Sequence, residues 1–175
     1  NMDLLRPESG LEPETWSICT NVENEGLLFD RPPARILPGA EVKNSAITKG
    51  CVIRGIVNGS VLSPGVVVES GAKVIDSVLM HNTWVGSGAF LNKVVTDKEV
   101  TIGPDSNIGP GNIDVANRLY PKHLSAGISL IGKWGSVPKG AKVGTNCIIA
   151  QGVTNNMWPE DLLLPDGETL DGLSK

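Results

Sequence analysis

Aliphatic residues recur every six positions along most of this chain. From Ser60 the sequence divides into three lines of 17 residues whose aliphatic columns align. The aligned columns are Leu62, Leu79 and Thr96; Val68, Val85 and Ile102; and Val74, Leu91 and Ile108. A shorter line with Ile47, Ile53 and Val57 precedes them, after Ile36 and Val42. A repeat of this kind predicts a stack of similar coils.

A small residue follows most of these aliphatics four positions later. The small positions are Ala40, Cys51, Val66, Ala72, Thr83, Ala89, Val100 and Ser106. The aliphatic residue would point into a narrow prism, and the small residue would turn inward near a corner. Gly and Pro between them supply the dihedral angles that tight corners need. The pattern predicts an all-β fold, a parallel β-helix of hexapeptide repeats.

This ladder of alternating aliphatic and small residues is interrupted once and then resumes with the same spacing of six. Its later members are the aliphatic residues Ile131, Val137, Val143 and Ile149, and the small residues Gly135, Ala141, Cys147 and Val153. We predict five segments: an arm or linker over 1–35, a first ladder over 36–110, an excursion loop over 111–127, a second ladder over 128–153 and a polar tail over 154–175. We also expect a helical turn at residues 115–119. The arm and the tail are candidates for covering the unpaired ends of the stack.

Composition supports this fold and excludes several partners. The chain has 4% aromatic residues but 21 Gly and 12 Pro, which argues against a helical bundle. A net charge of −4 gives no electrostatic case for nucleic acid or an anionic membrane. Cys51 and Cys147 are expected to fill corners as unpaired thiols in a reducing compartment, and Cys19 has no assigned role. The start at Asn1 is no natural initiation and suggests a piece of a longer protein.

Several short phrases occur in a specific order along the chain. They are "WSICT" (16–20), "PPARI" (32–36), "GSVLSPGVVV" (59–68), "DSVLM" (76–80), "TDKEVTIG" (96–103) and "AGISLIGKWGSVPKG" (126–140). Together they resemble the C-terminal part of the glucose-1-phosphate adenylyltransferases, also called ADP-glucose pyrophosphorylases. The left hand of the predicted β-helix comes from this resemblance, because most parallel crossovers are right-handed.

The resemblance also implies a function. It implies a regulatory and oligomerisation domain of an enzyme that converts ATP and glucose 1-phosphate to ADP-glucose and pyrophosphate in glycogen or starch synthesis. The catalytic nucleotidyltransferase domain and its Mg²⁺ would precede this chain, which is expected to be inactive alone and to hold no cofactor. The implied partners are that domain, homo-oligomer or paralogous subunits in a tetramer, and a phosphorylated sugar or phosphoglycerate effector. The implied location is the cytoplasm, or the plastid in a plant.

Lys98 and Lys133 are the candidate effector-binding residues. Both fall where plant-type members of the family carry effector-binding lysines, and a lysine ammonium supplies the concentrated charge that a phosphate needs. Residues 118–153 contain no Asp or Glu, so nearby basic residues are candidates for support. These are Arg118, Lys122, Lys139 and Lys142. The alternative is a solvated face, or a contact between subunits with the acidic tail. We predict no catalytic residue and no metal ligand.

His81 raises two rival hypotheses. It lies two residues after Leu79, where it would face outward at a corner. One rival is an independent hexapeptide acyltransferase with His81 as general base, and the other is a purely structural β-helix in which His81 is a solvated or subunit-contacting corner residue. A carbonic anhydrase needs three histidines on its metal, and this chain has only His81 and His123. Outward-facing Trp84 is expected at an interface or beneath the arm, and Trp134 lies beside Lys133.

Overall fold

The computed structural model describes residues 31–171, which form a parallel β-helix with three sheets. Each coil contributes one short strand to each sheet. The described residues give six complete coils and a seventh coil that extends two of the sheets. The predicted fold is therefore confirmed, while its left hand stays a prediction from the resemblance. Cys19 and residues 1–30 of the predicted arm lie outside the described residues.

The three sheets run along the axis of the prism, and their strands are numbered here in chain order. Sheet A contains β1 (Arg35–Ile36), β4 (Val52–Ile53), β7 (Val67–Val68), β10 (Trp84–Val85), β13 (Thr101–Ile102) and β16 (Ser136–Val137). Sheet B contains β2 (Glu41–Lys43), β5 (Ile56–Asn58), β8 (Lys73–Ile75), β11 (Phe90–Asn92), β14 (Asn107–Ile108), β17 (Lys142–Val143) and β19 (Leu163–Leu164). Sheet C contains β3 (Ala46–Ile47), β6 (Val61–Leu62), β9 (Val78–Leu79), β12 (Val94–Thr96), β15 (Ser129–Ile131), β18 (Ile148–Ile149) and β20 (Thr169–Leu170).

The strand registers reproduce the columns predicted from the sequence. Leu62 pairs with Leu79, and Leu79 with Thr96, so residues 17 apart lie on neighbouring coils. The aliphatic residues of the second ladder join the same columns, as Thr96 pairs with Ile131. These side chains are almost completely buried along the axis. Burying each Leu, Ile or Val contributes roughly 1.5–3 kcal/mol, so the central column is the main source of stability.

Buried hydroxyl groups satisfy the backbone at the corner between sheets B and C. The Ser45 hydroxyl oxygen accepts a hydrogen bond from the Ser60 amide at 3.1 Å, and the Ser60 oxygen accepts one from the Ser77 amide at 3.1 Å. Ser77 does the same for the Val94 amide at 3.1 Å. Buried amides need such partners, and the serines therefore link consecutive coils where no strand pairing is available.

The excursion loop leaves the same corner between β14 and β15. Its ends are tied by buried amide side chains: Asn146 donates to the Val115 carbonyl at 2.8 Å and accepts from the Gly127 amide at 2.7 Å. The expected helical turn at 115–119 is wrong. The Leu119 amide donates to the Asn117 side-chain oxygen instead of the Val115 carbonyl that a helical turn would use, and the Val115 carbonyl accepts from Asn146. The helix-like turn lies further on, where the Leu124 amide donates to the Tyr120 carbonyl at 2.9 Å.

The segment predicted as a polar tail differs from that expectation over its described part. Residues 154–171 contain a 3-10 turn, Asn155–Met157, followed by β19 and β20. The Trp158 indole is 7% exposed and donates from Nε1 to the Ser136 carbonyl at 2.9 Å. This side chain takes the place that the next strand of sheet A would occupy. Within residues 31–171, no helix has the length and apolar character required to cross a membrane.

Candidate functional site

The corner between sheets C and A brings one column of side chains together from six coils. Each member lies two residues after the inward residue of a sheet C strand. The column contains Lys49, Pro64, His81, Lys98, Lys133 and Gln151. We call it the C–A corner column. Adjacent members lie on adjacent coils, about 4.8 Å apart, which is the spacing of paired strands.

The backbone holds this column in a fixed geometry. In each coil the next residue has a positive φ, and its amide donates to the carbonyl of the column residue on the preceding coil. The Trp134 amide donates to the Lys98 carbonyl at 3.1 Å, and the Gly152 amide to the Lys133 carbonyl at 2.9 Å. Lys98 and Lys133 are 35 positions apart in the sequence because the excursion loop lies between them. The chain rejoins the prism after this loop on the next coil, so the two lysines are direct neighbours in the column.

The charges around the two lysines are arranged asymmetrically. The Asp97 carboxylate accepts a hydrogen bond from the Lys98 amide at 2.7 Å. The Glu99 carboxylate accepts one from the Asn82 side chain on the preceding coil, on the opposite side of Lys98 from Lys133. On the Lys133 side, the ammonium nitrogen lies over the Trp134 ring at 4.2 Å from its centroid. The two lysines therefore lie among both carboxylates, Asp97 and Glu99, and the Trp134 indole.

The other basic candidates lie elsewhere on the prism. Arg118 and Lys122 belong to the excursion loop, and Arg118 forms an ion pair with Glu168. Lys139 lies at the corner between sheets A and B, 3.8 Å from Asp105. Lys142 lies on the exposed face of sheet B. The structure therefore brings Lys98 and Lys133 together and does not bring these four residues to the same corner.

Two basic residues at the C–A corner were missed in the sequence. Lys49 lies in the column on the first coil, and the Arg31 side chain packs against Gly50 and Gly65 of the same corner. A Cβ at Gly50 would lie only 2.9 Å from Cδ of Arg31. The sequence did contain a signal for Lys49, because it lies two residues after Ile47, just as Lys133 lies two residues after Ile131. Arg31 gave no such signal, because it precedes the first strand.

His81 lies in the column as a half-buried corner residue rather than a fully solvated one. Both of its ring nitrogens are shielded from solvent. A general base must reach the proton that it removes from its substrate, directly or through one water. The shielding therefore argues against His81 as an acyltransferase base. His123 is exposed on the excursion loop, separate from this corner.

The two described cysteines are packing residues. Both are buried at inward corner positions. Burial raises the pKa of the Cys51 thiol, and it raises the pKa of Cys147 from 9.0 to about 11. A nucleophilic cysteine needs a lowered pKa and access to solvent. Neither thiol is therefore a candidate nucleophile.

The outer face of sheet C is apolar and borders the C–A corner. On five successive coils its outward residues are Val61, Val78, Val95, Leu130 and Ile148. A cavity of about 420 Å³ opens on this face, and its lining reaches Asp97, Gly132 and Gln151 next to the corner column. The outward residues of sheet B are mixed, because Lys73, Asn107 and Lys142 alternate there with Ile56, Phe90 and Leu163. Half-buried Trp84 lies on the outer face of sheet A between Val67 and Thr101.

Repeat architecture and sequence together define the class of protein. Residues 32–131 match the family described as GlmU-like, C-terminal hexapeptide. The chain belongs to this hexapeptide-repeat family.

Within that class, the relatives are adenylyltransferases. The chain is 34% identical to the glucose-1-phosphate adenylyltransferase of Acetivibrio thermocellus over 91% of its length. It is 38% identical to the enzyme of the same name from Thermomicrobium roseum over 99% of its length. The chain spans 36% and 40% of the length of these two relatives.

One solved structure to which the chain is similar is the acetyltransferase domain of PglB from Neisseria gonorrhoeae. It is 23% identical, with a TM-score of 0.35, and the match covers 79% of this chain and 54% of that one. A likeness of this degree carries no functional conclusion.

Proposed function

We propose that this chain is the regulatory and oligomerisation part of an ADP-glucose-forming nucleotidyltransferase, and that the C–A corner binds its phosphorylated effector. One observation carries the effector assignment: Lys98 and Lys133 lie on adjacent coils of one corner, linked through the Trp134 amide. Two ammonium groups on neighbouring coils can contact the same phosphate. The effector in this proposal is a phosphorylated sugar or phosphoglycerate.

The chemistry of the proposed enzyme takes place in another part of the protein. The reaction would transfer the adenylyl group of ATP to glucose 1-phosphate, with release of pyrophosphate. Residues 31–171 contain no group of three His, Cys, Asp or Glu side chains that could hold a metal ion. The Mg²⁺ that serves this reaction would therefore bind outside the described residues, in the catalytic domain.

Assembly is the second part of the proposal. Aliphatic side chains cover the outer face of sheet C on five successive coils, and contiguous apolar surfaces of this kind mark interaction sites. We assign this face to contacts with a second copy or a paralogous subunit in the oligomer. It lies directly beside the C–A corner, so effector binding and subunit contact would influence each other.

The effector assignment is tested in the protein as its gene encodes it, by the effector concentration that gives half-maximal activation of ADP-glucose formation. Lys98→Gln and Lys133→Gln should each raise that concentration about tenfold or more, because each removes a charged hydrogen bond to phosphate. Lys139→Gln and Lys142→Gln are matched controls at another corner and face, and should change it less than about twofold. Unchanged activation in both corner variants contradicts the assignment.

A further inference from the structure

Two corners of the prism differ in exposure although the repeat builds them alike. At the C–A corner of the second and third coils, Pro64 is buried, and Gly65, His81 and Asn82 are half-buried. At the corner between sheets A and B, the residues at the same offsets on the adjoining coils are all exposed. These are Ser70, Gly71, Ser87 and Gly88. The repeat itself therefore does not account for the burial at the C–A corner.

Arg31 supplies part of the cover at this corner. The Pro32 carbonyl accepts a hydrogen bond from the Gly50 amide at 2.7 Å, which places the start of the described chain at the C–A corner. The Arg31 side chain runs from there along the corner, over Gly50 and Gly65. Its guanidinium and the Asn82 side-chain oxygen both lie over the Cα of Gly65, where any Cβ would collide with the guanidinium. Glycine at position 65 thus leaves the space that Arg31 occupies.

The sequence directly before Arg31 has the chemistry to cover the rest of the corner. Residues 21–30 carry three acidic and no basic side chains, and three consecutive apolar residues lie at 27–29. Coils are about 4.8 Å apart and an extended chain rises about 3.3 Å per residue, so three residues span two coils. Residues 27–29 can therefore reach Pro64 and His81. The acidic residues complement the basic side chains of Arg31 and Lys49 at the same corner.

We infer that residues 21–30 dock on the C–A corner over the first three coils, with Leu27, Leu28 and Phe29 against Pro64 and His81. The occupant is a segment of the same chain, and burial of its apolar side chains stabilises the contact. Lys98 and Lys133 lie further along the corner, so the inference does not depend on the effector assignment. If the proposed function holds, this docking attaches the catalytic domain to one corner of the prism.

The exposure of the corner is tested by the rate at which a cysteine there reacts with a maleimide. The protein is used as its gene encodes it, and mass spectrometry of its peptides identifies each labelled site. His81→Cys probes the C–A corner, and Ser87→Cys is the matched control at the exposed corner. The docked segment should make His81→Cys react at least about tenfold more slowly than Ser87→Cys. Buried Cys51 and Cys147 should stay unlabelled, which verifies that the prism is folded.

Substitutions in the segment identify the occupant. Leu28→Ser combined with Phe29→Ser should raise the reaction rate of His81→Cys by about fivefold or more and leave that of Ser87→Cys within about twofold. Ile113→Ser, at an exposed apolar residue of the excursion loop, is the matched control and should change neither rate. If the double substitution allows labelling of Cys51 or Cys147, Leu28→Ala alone replaces it, with the same expected direction.

Two results overturn the inference. If His81→Cys reacts as fast as Ser87→Cys, the corner is open to solvent. If it reacts slowly but the substitutions at Leu28 and Phe29 do not accelerate it, another occupant covers the corner. A rate that falls with rising protein concentration would then identify a second copy of the chain. None of these results depends on the activation of the Lys98 and Lys133 variants, so the two proposals fail separately.

Discussion

Cys147 shows how a single side chain links packing to pH dependence. It fills an inward corner beside the last coils, and its thiol donates to the Pro165 carbonyl at 3.1 Å. Its amide donates to the Ser129 hydroxyl at 3.2 Å. Desolvation by this burial is the main reason that its pKa rises from 9.0 to about 11. The folded state therefore favours the neutral thiol over the thiolate.

The raised pKa predicts a loss of stability at high pH. Below about pH 9 the thiol is neutral in both states, and its contribution is fully present; between pH 9 and about 11 only the unfolded chain ionises. The free energy of unfolding should then fall by about 1.4 kcal/mol per pH unit relative to a variant without the thiol. Denaturant unfolding of the protein and of Cys147→Ala at pH 8 to 11 measures this difference. Parallel pH profiles for the two proteins contradict the prediction.

Trp134 marks the limit of residue-level prediction. The sequence places it after Lys133, and the hexad pattern places Lys133 at a corner, but the pattern does not state which corner residue takes a positive φ. Left-handed geometry costs a residue with a Cβ about 1–2 kcal/mol, so glycine would be expected there. The strained tryptophan became visible only with the backbone dihedral angle of 59°.

At the scale of the elements, most of the strands could be predicted. A narrow prism has room for one aliphatic side chain and one small side chain per face, so the six-residue period is a direct consequence of its cross-section. Val74, Leu91 and Ile108 illustrate this, because their predicted column is their observed pairing. The pattern continues even after the 20 residues that separate β14 from β15.

The last coil could not be predicted by the same rule. There, sheet A ends at β16 and the side chain of Trp158 replaces a strand, so the aliphatic column has no member at that point. The strands β19 and β20 place Leu164 and Leu170 in the inward columns. Corner residues such as Asp166 and Glu168 lie between these two leucines. From the sequence, a polar segment with two inward leucines is predicted to be a tail. The prediction would change only if the Trp158 side chain were known to fill the place of the missing strand of sheet A.

The candidate site was only partly predictable for a related reason. Lys98 and Lys133 were selected through the family resemblance, and their adjacency depends on which coils flank the excursion loop. The absence of Asp and Glu from residues 118–153 suggested one basic surface, but a prism turns its chain through three faces within each coil. Lys139 and Lys142 therefore point to other sides of the molecule, although they follow Lys133 closely in sequence.

At the scale of the whole molecule, the three faces differ in character. The outward column of sheet B contains Ile56, Lys73, Phe90, Asn107, Lys142 and Leu163. Sheet B therefore presents a mixture of polar and apolar side chains, whereas sheet C presents aliphatic side chains over five coils. Burial of such a face against another subunit would remove apolar area from water at roughly 25 cal/mol per Å². The assembly proposal therefore depends on sheet C.

Leu130→Glu should break this assembly in the protein as its gene encodes it. Leu130 lies at the middle of the apolar face, half-buried between Val95 and Ile148, and a carboxylate there would have to be desolvated on association. Light scattering coupled to size exclusion should report a smaller species than for the unsubstituted protein. Asn107→Glu on the outer face of sheet B, where Asn107 lies between Phe90 and Lys142, is the matched control and should leave the mass unchanged. If both variants have the mass of the unsubstituted protein and unfold at the same temperature, sheet C is not the interface between subunits.

The central claim is that two lysines 35 positions apart act on one phosphate at the C–A corner. A double-mutant cycle of Lys98→Gln and Lys133→Gln, read out by the dissociation constant of the effector, tests it most directly. Two side chains that contact the same atoms of a ligand are energetically coupled, typically by about 0.5–3 kcal/mol. The double variant should lose affinity by a factor that differs from the product of the single losses by about threefold or more. Losses that simply multiply, or no loss in either single variant, would contradict it.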